Sequence, residues 1–262
     1  MDITSFTFFT WTLLFIGALM VGVSKAGFGA GAGILAVPLI ALAIGARGML
    51  PVLLPVLICG DIFALLHYAG KNDRDWRNLR LLLPCAIAGI TIGMLVLDWF
   101  MKISAGKGDR LLETAVGGIC VIFAAMQAYN YLLRKFGHKE DKHYKPAWWQ
   151  GAGMGIAAGI TSTLAHSAGP LIALFLLPQR LPRRVFVGTA VFYFFVGNLI
   201  KLIPYSTAGL FSKDTLTLSL YLFPAAIAGT IIGSQLNKHL TDFYFNLIVY
   251  AVTFATGISL LV

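Results

Sequence analysis

Residues 3–46 carry a single charged side chain, Lys25, and residues 146–179 carry none. A helix rises about 1.5 Å per residue and a bilayer's hydrocarbon core is about 30 Å thick, so about 20 apolar residues cross it once. Each stretch exceeds one crossing and has to turn while still in apolar sequence. The composition agrees: 58% of the residues are hydrophobic and 12% charged, against about 25% charged in an average soluble domain. A soluble fold cannot hide that much apolar surface. The net charge of +9 does not describe a nucleic-acid surface, because Lys and Arg fall in short clusters between uncharged runs. The chain reads as an all-α polytopic membrane protein of about eight to ten hydrophobic helices or half-helices, with the lipid bilayer as a partner and no nucleic acid.

Candidate spans run over 6–24, 26–45, 49–69, 79–99, 111–133, 148–164, 167–178, 185–204, 216–236 and 243–262. The turns in the two long stretches have clear candidates. Gly27, Gly29, Gly31 and Gly33 alternate after Lys25, and Thr161-Ser162-Thr163 runs on to His166-Ser167-Ala168-Gly169-Pro170. Glycine and proline break helices, and small hydroxyl residues satisfy the backbone groups a break sets free. The N-terminus lacks the basic n-region of a signal peptide, so the first segment is expected to stay in place. Cys59, Cys85 and Cys120 lie in apolar sequence without CxxC spacing, and neither a disulfide framework nor a metal site is expected.

Comparing the two halves aligns Ala26–Leu42 with Ala158–Leu174 at an offset of 132, with eight of 17 positions identical. A second block, Leu82–Asp98 against Leu222–Lys238, matches at eight of 17 with an offset of 140. There Pro84, Gly89 and Gly93 fall opposite Pro224, Gly229 and Gly233. Two blocks in one order indicate duplication. The organisation expected is an N-terminal transmembrane repeat over 1–135, a basic cytoplasmic linker over 136–147 and a C-terminal repeat over 148–262. With five segments in each half, one side of the membrane collects fourteen Lys and Arg and the other six. The richer side is cytoplasmic, which puts both termini outside. Each half makes a net odd number of crossings, so the repeats are expected to be inverted, with broken helices at their interface, as in secondary transporters.

The run from Ser24 through Lys25-Ala26-Gly27-Phe28-Gly29 to Pro38 resembles the signature of the TauE/SafE family of membrane transporters. Arg47 to Pro55, Asp75-Trp76-Arg77 to Leu83-Pro84 and the repeated Ala-Ile-Ala-Gly resemble it too. The likeness covers essentially the whole chain. It implies movement of sulfite, sulfonates or related organic acid anions across the bacterial inner membrane, usually outward, and no enzyme activity.

An anion leaving water needs its hydration replaced by donors, and helix N-termini offer N–H groups with partial positive charge. Gly27, Gly29, Gly31 and Gly33 in the first half, and Thr161, Ser162, Thr163, His166 and Ser167 in the second, are expected to open half-helices that face one another around the substrate. The alternative is that the glycines serve close helix packing and the hydroxyls cap a break. Lys25 is the sharpest single candidate, a cation in uncharged sequence whose partner is either the anion or, by snorkelling, the headgroups. Lys201, near the outer end of its span, is expected to snorkel. Asp61 is the deepest carboxylate and the candidate for ion coupling, or else a structural partner of Lys25. His67, six residues on, falls on another face near the cytoplasmic end.

One charge moved through 100 mV is worth about 2.3 kcal/mol, so an inside-negative membrane drives a monoanion outward without a coupling ion. Export is therefore the expected direction, with proton-coupled uptake as the alternative. No cofactor is expected. Two readings from other classes use the same residues: an intramembrane hydrolase on Ser167 and His166, for which no GxSxG or HExxH pattern occurs, and a haem or quinone protein using His67 and His166.

Overall fold

The structure, a computed structural model, describes residues 3–27, 36–68, 70, 73–102, 107–136 and 146–239, with 254, 258 and 261 beyond them. The described residues form eight α-helices and no strand: α1 (Phe8–Gly27), α2 (Ala36–His67), α3 (Trp76–Lys102), α4 (Lys107–Phe136), α5 (Trp148–Ala165), α6 (Gly169–Leu176), α7 (Arg183–Thr207) and α8 (Lys213–His239). Five of them, α1, α2, α3, α7 and α8, contain segments long and apolar enough to cross a membrane. Large apolar side chains such as Leu66, Leu95, Trp99 and Ile203 are exposed on the outside, the arrangement a lipid solvent calls for.

Local chemistry sets the helix ends. Thr7 receives the Thr10 amide at 3.2 Å at the start of α1, and Asp75 receives the amides of Arg77 and Asn78 ahead of α3. Ser212 and Thr215 exchange side-chain and backbone hydrogen bonds before α8, a reciprocal cap. Residues 36–45 of the expected span 26–45 run on with the expected span 49–69 as one helix, α2, broken at Gly45, where φ is 74°. Glycine alone reaches that conformation without strain. The eight residues of α6 rise about 12 Å, less than half the hydrocarbon core, so α6 is a half-helix, continued by one turn of 3-10 helix at Leu177–Gln179.

Among the described residues two large apolar cores form, beside a small cluster of Ala64, Tyr68, Val187 and Val191. One joins α1, α2, α4 and α8 through residues such as Leu14, Ile40, Leu53 and Leu222. The other joins α3, α5, α6 and α7 through Leu82, Ala158, Ile172 and Tyr193. In each, the first helix of one half packs along the late helix of the other, α1 on α8 and α5 on α3. A Cβ on Gly229 would lie 2.1 Å from the Leu19 carbonyl oxygen, and one on Gly89 2.1 Å from that of Ile156. The glycines matched between the halves thus make matched backbone approaches.

Candidate functional site

Lys25, in the last turn of α1, is buried, and its Nζ donates to Asp61 Oδ1 at 2.5 Å. The ammonium also lies 4.8 Å from the centre of the Phe194 ring, a favourable cation–π position. Asp61, on α2 and fully buried, uses its second oxygen to accept from Asn198 Nδ2 of α7 at 2.7 Å. Lys25 therefore has a protein carboxylate as counter-charge and does not reach the headgroups. His67 is exposed, as the rotation from Asp61 requires.

Lys201 departs from expectation. It lies one turn beyond Asn198 on α7, and it is fully buried rather than snorkelling. Its Nζ meets the Ser162 carbonyl oxygen at 3.1 Å, Ser162 Oγ at 2.9 Å and His166 Nδ1 at 2.9 Å. An ammonium has three N–H donors, and these are three acceptors, all uncharged. Among the described residues no carboxylate forms an ion pair with Lys201. Since Lys25 and Asp61 cancel, a charged Lys201 leaves the buried cluster with one positive charge.

The ring of His166 is oriented by α2. Its Nε2 lies 3.0 Å from the Leu50 carbonyl oxygen, which only accepts, so Nε2 carries the hydrogen and Nδ1 is left as acceptor for Lys201. His166 ends α5 in the left-handed conformation, φ 47°, which turns the chain out of the helix and into the break before α6. Both ring nitrogens are engaged by the protein, which leaves neither open to a haem iron. No group of three or more His, Cys, Asp or Glu that could hold a metal ion occurs among the described residues.

The break itself is shorter than expected. Thr161, Ser162 and Thr163 lie inside α5, and α6 begins only at Gly169. The Thr161 hydroxyl donates to Ala157, Thr163 to Gly159 and Ser167 to Ala165, each to a backbone carbonyl at 2.8–2.9 Å. These three serve the local backbone, and Ser162 is the hydroxyl residue in contact with a charged group. Pro170 has no N–H, and Ile172 donates to Ala168 at 3.1 Å. Among the described residues the Gly169 and Leu171 amides take no backbone acceptor at the head of α6. Gly27 ends α1 instead of opening a helix, and Gly29, Gly31 and Gly33 lie outside the described residues.

Sequence reasoning passed over Asn198 and set Lys201 aside, yet a signal was present. At an offset of 137, Gly60-Asp61 falls opposite Gly197-Asn198 and Gly22 opposite Gly159. The packing follows that register. A Cβ on Gly22 would meet Ala226, Gly229 and Thr230, and one on Gly159 would meet their counterparts Ala86, Gly89 and Ile90. The offset of 132 holds only from the break onward, because eight residues separate α1 from α2 whereas three separate α5 from α6.

At the end of α2 the chain is tied to α7. Asp73 accepts from Arg184 Nε at 2.7 Å and from the Gly70 amide at 3.0 Å, and the Asp75 amide donates to Thr189 Oγ1 at 2.8 Å. The Arg184 hydrogen bond holds the Asp73 carboxyl below the usual aspartate value, partial burial working against it and the Gly70 amide with it.

The sequence model of the TauE/SafE sulfite exporter family matches residues 14–260. Comparison with curated proteins and with solved structures gave no match. A family match over nearly the whole length, on a chain whose described residues are helical and include five apolar helices of spanning length, makes this a multi-pass membrane protein. The chain belongs to the TauE/SafE family of membrane transporters.

Proposed function

We propose that the chain is a secondary transporter that exports a small anion, sulfite, a sulfonate or a related organic acid anion, across the bacterial inner membrane by alternating access. In this reading the two halves are inverted copies, both termini are periplasmic, and the anion binds between α5, α6 and α7. The single observation that carries it is the setting of Lys201: it is buried against three uncharged acceptors, with no carboxylate in an ion pair with it among the described residues, so a negative solute would complete its charge. His166, Ser162 and the first amides of α6 supply further donors, and Ser167, Thr161 and Thr163 hold the break. Lys25 supports the site through Asp61 and Asn198 instead of meeting the anion alone. Gly27, Gly29, Gly31 and Gly33 are assigned to the substrate site from the sequence alone, the last three lying outside the described residues.

Export follows from the energetics, since an inside-negative potential of 100 mV favours outward movement of a monoanion by about 2.3 kcal/mol. One observation favours a second reading, proton-coupled uptake: Asp61 is a fully buried carboxylate that spans both halves by its bonds to Lys25 and Asn198.

Flux from proteoliposomes tests the proposal. Vesicles loaded with sulfite or methanesulfonate and held at an inside-negative potential are expected to lose the anion with saturable kinetics, and Lys201→Met is expected to reduce that loss to the rate of protein-free vesicles. Wild-type protein no faster than protein-free vesicles for sulfite, sulfonates and carboxylates alike would end the reading.

A further inference from the structure

The hydrogen bonds around His166 bear on how the site accommodates anions of different charge. Leu50 fixes the hydrogen on Nε2, so any further proton has to go on Nδ1, which faces the Lys201 ammonium at 2.9 Å. Two cations that close repel strongly in a medium that screens poorly. The second proton is therefore excluded until negative charge arrives. Ser162 Oγ, 2.9 Å from the same Nζ, both donates and accepts. A proton on Nδ1 turns that nitrogen from acceptor to donor, so the Lys201–His166 hydrogen bond is given up and both groups are free to donate to the anion, while Ser162 Oγ remains an acceptor for Nζ. His166 and Ser162 are also only partly buried, unlike Lys201, which leaves this side of the cluster open to an incoming proton.

Among the described residues the other polar groups facing the pair are committed. From α7, the Tyr205 hydroxyl donates to the Thr163 carbonyl at 2.6 Å, with its ring 6.1 Å from that of His166. From α1 and α2, Lys25 and Asp61 neutralise one another, and Asn198 of α7 donates to Asp61. From α5 and the break, Thr163 and Ser167 are bonded to backbone carbonyls.

We propose that the Lys201–His166 pair matches its proton content to the charge of the bound anion. Monoanionic sulfonates and dianionic sulfur oxyanions are then both accepted, and each added negative charge enters with one proton on His166. The inference rests on the anion-site reading above. It makes the occupied site carry the same net charge with either class of substrate.

Calorimetric titration of the purified full chain, repeated in two buffers of different ionisation heat, counts protons taken up per anion bound. Methanesulfonate serves as the monoanion and thiosulfate as the dianion, neither of which titrates near neutral pH. Thiosulfate is expected to take up one proton more than methanesulfonate, and its apparent Kd to rise about tenfold more per pH unit. His166→Gln keeps a donor for Leu50 but cannot hold the extra proton, and is expected to bring the difference to zero. Equal proton numbers in the wild type, or a difference that survives in His166→Gln, would overturn the inference. The wild-type comparison decides alone if the variant does not fold. Absence of binding heat with both anions would instead remove the anion-site reading and the inference with it.

Discussion

Asn198 donates to Asp61 at 2.7 Å across a sequence separation of 137, the same separation that relates Gly22 to Gly159 in the helix packing. The bond joins the two halves at equivalent positions, each just after a glycine. Asp61 thereby holds α2 to α7 while it neutralises Lys25 of α1.

Removing one member of that buried pair should cost far more than removing both. Asp61→Ala leaves the Lys25 ammonium uncompensated and is expected to destabilise by about 3–5 kcal/mol, whereas Lys25→Met combined with Asp61→Leu is expected to be much milder. Thermal melting of the three proteins in one detergent checks this. A double variant as unstable as Asp61→Ala would mean that the charges are not coupled.

The backbone approaches of Gly89 and Gly229 leave no room for side chains. Gly89→Val and Gly229→Val are each expected to lose about 3 kcal/mol or more, the upper part of the range for overpacking. Gly153, also helical, has open space where a Cβ would stand, and Gly153→Ala should be neutral or gain about 0.5–1 kcal/mol. Melting temperatures of the three variants provide the comparison.

The Asp73–Arg184 contact predicts a pH dependence confined to the loop after α2. The folded Asp73 carboxyl titrates below its ordinary value of 3.8, so the unfolded loop binds more protons than the folded one over the interval between them. The contact therefore contributes fully above the ordinary value, fades as the pH falls through that interval, and is gone below the folded value. Hydrogen exchange at Gly70 and Asp75, measured at several acid pH values, should show protection falling with pH in the wild type. In Arg184→Gln protection should already be low at neutral pH.

Tyr205 closes the carboxyl end of α5. Thr163 is among the last residues of that helix, where carbonyls have few intrahelical donors, and the Tyr205 hydroxyl reaches it at 2.6 Å. Tyr205→Phe is expected to cost about 1 kcal/mol and to loosen the segment that carries His166. Chemical denaturation and exchange of the His166 amide measure both effects.

The lengths of uncharged stretches and the helix-breaking residues placed nearly every described helix in the sequence, because length and charge exclusion dominate in lipid. The matched glycines were legible for a similar reason: Gly89 and Gly229 are fixed by backbone contact, which no side chain can imitate. Charge placement was harder to read. Lys25 and Lys201 are both lone cations in apolar sequence, and whether such a residue snorkels or is enclosed depends on neighbours from other helices. The partner of Lys25 is 36 residues away and that of Lys201 is 39 away at Ser162. The hydroxyls of Thr161, Thr163 and Ser167 looked like ligands because sequence shows the group but not which way it donates.

In the proposed mechanism a negative solute completes the charge of Lys201. Equilibrium titration of methanesulfonate into wild-type protein and Lys201→Met, both verified as folded by melting, tests it directly. The account predicts saturable one-to-one binding in the wild type and at least about a hundredfold weaker binding in the variant, the equivalent of about 2.8 kcal/mol. Equal affinity in the two proteins would contradict it.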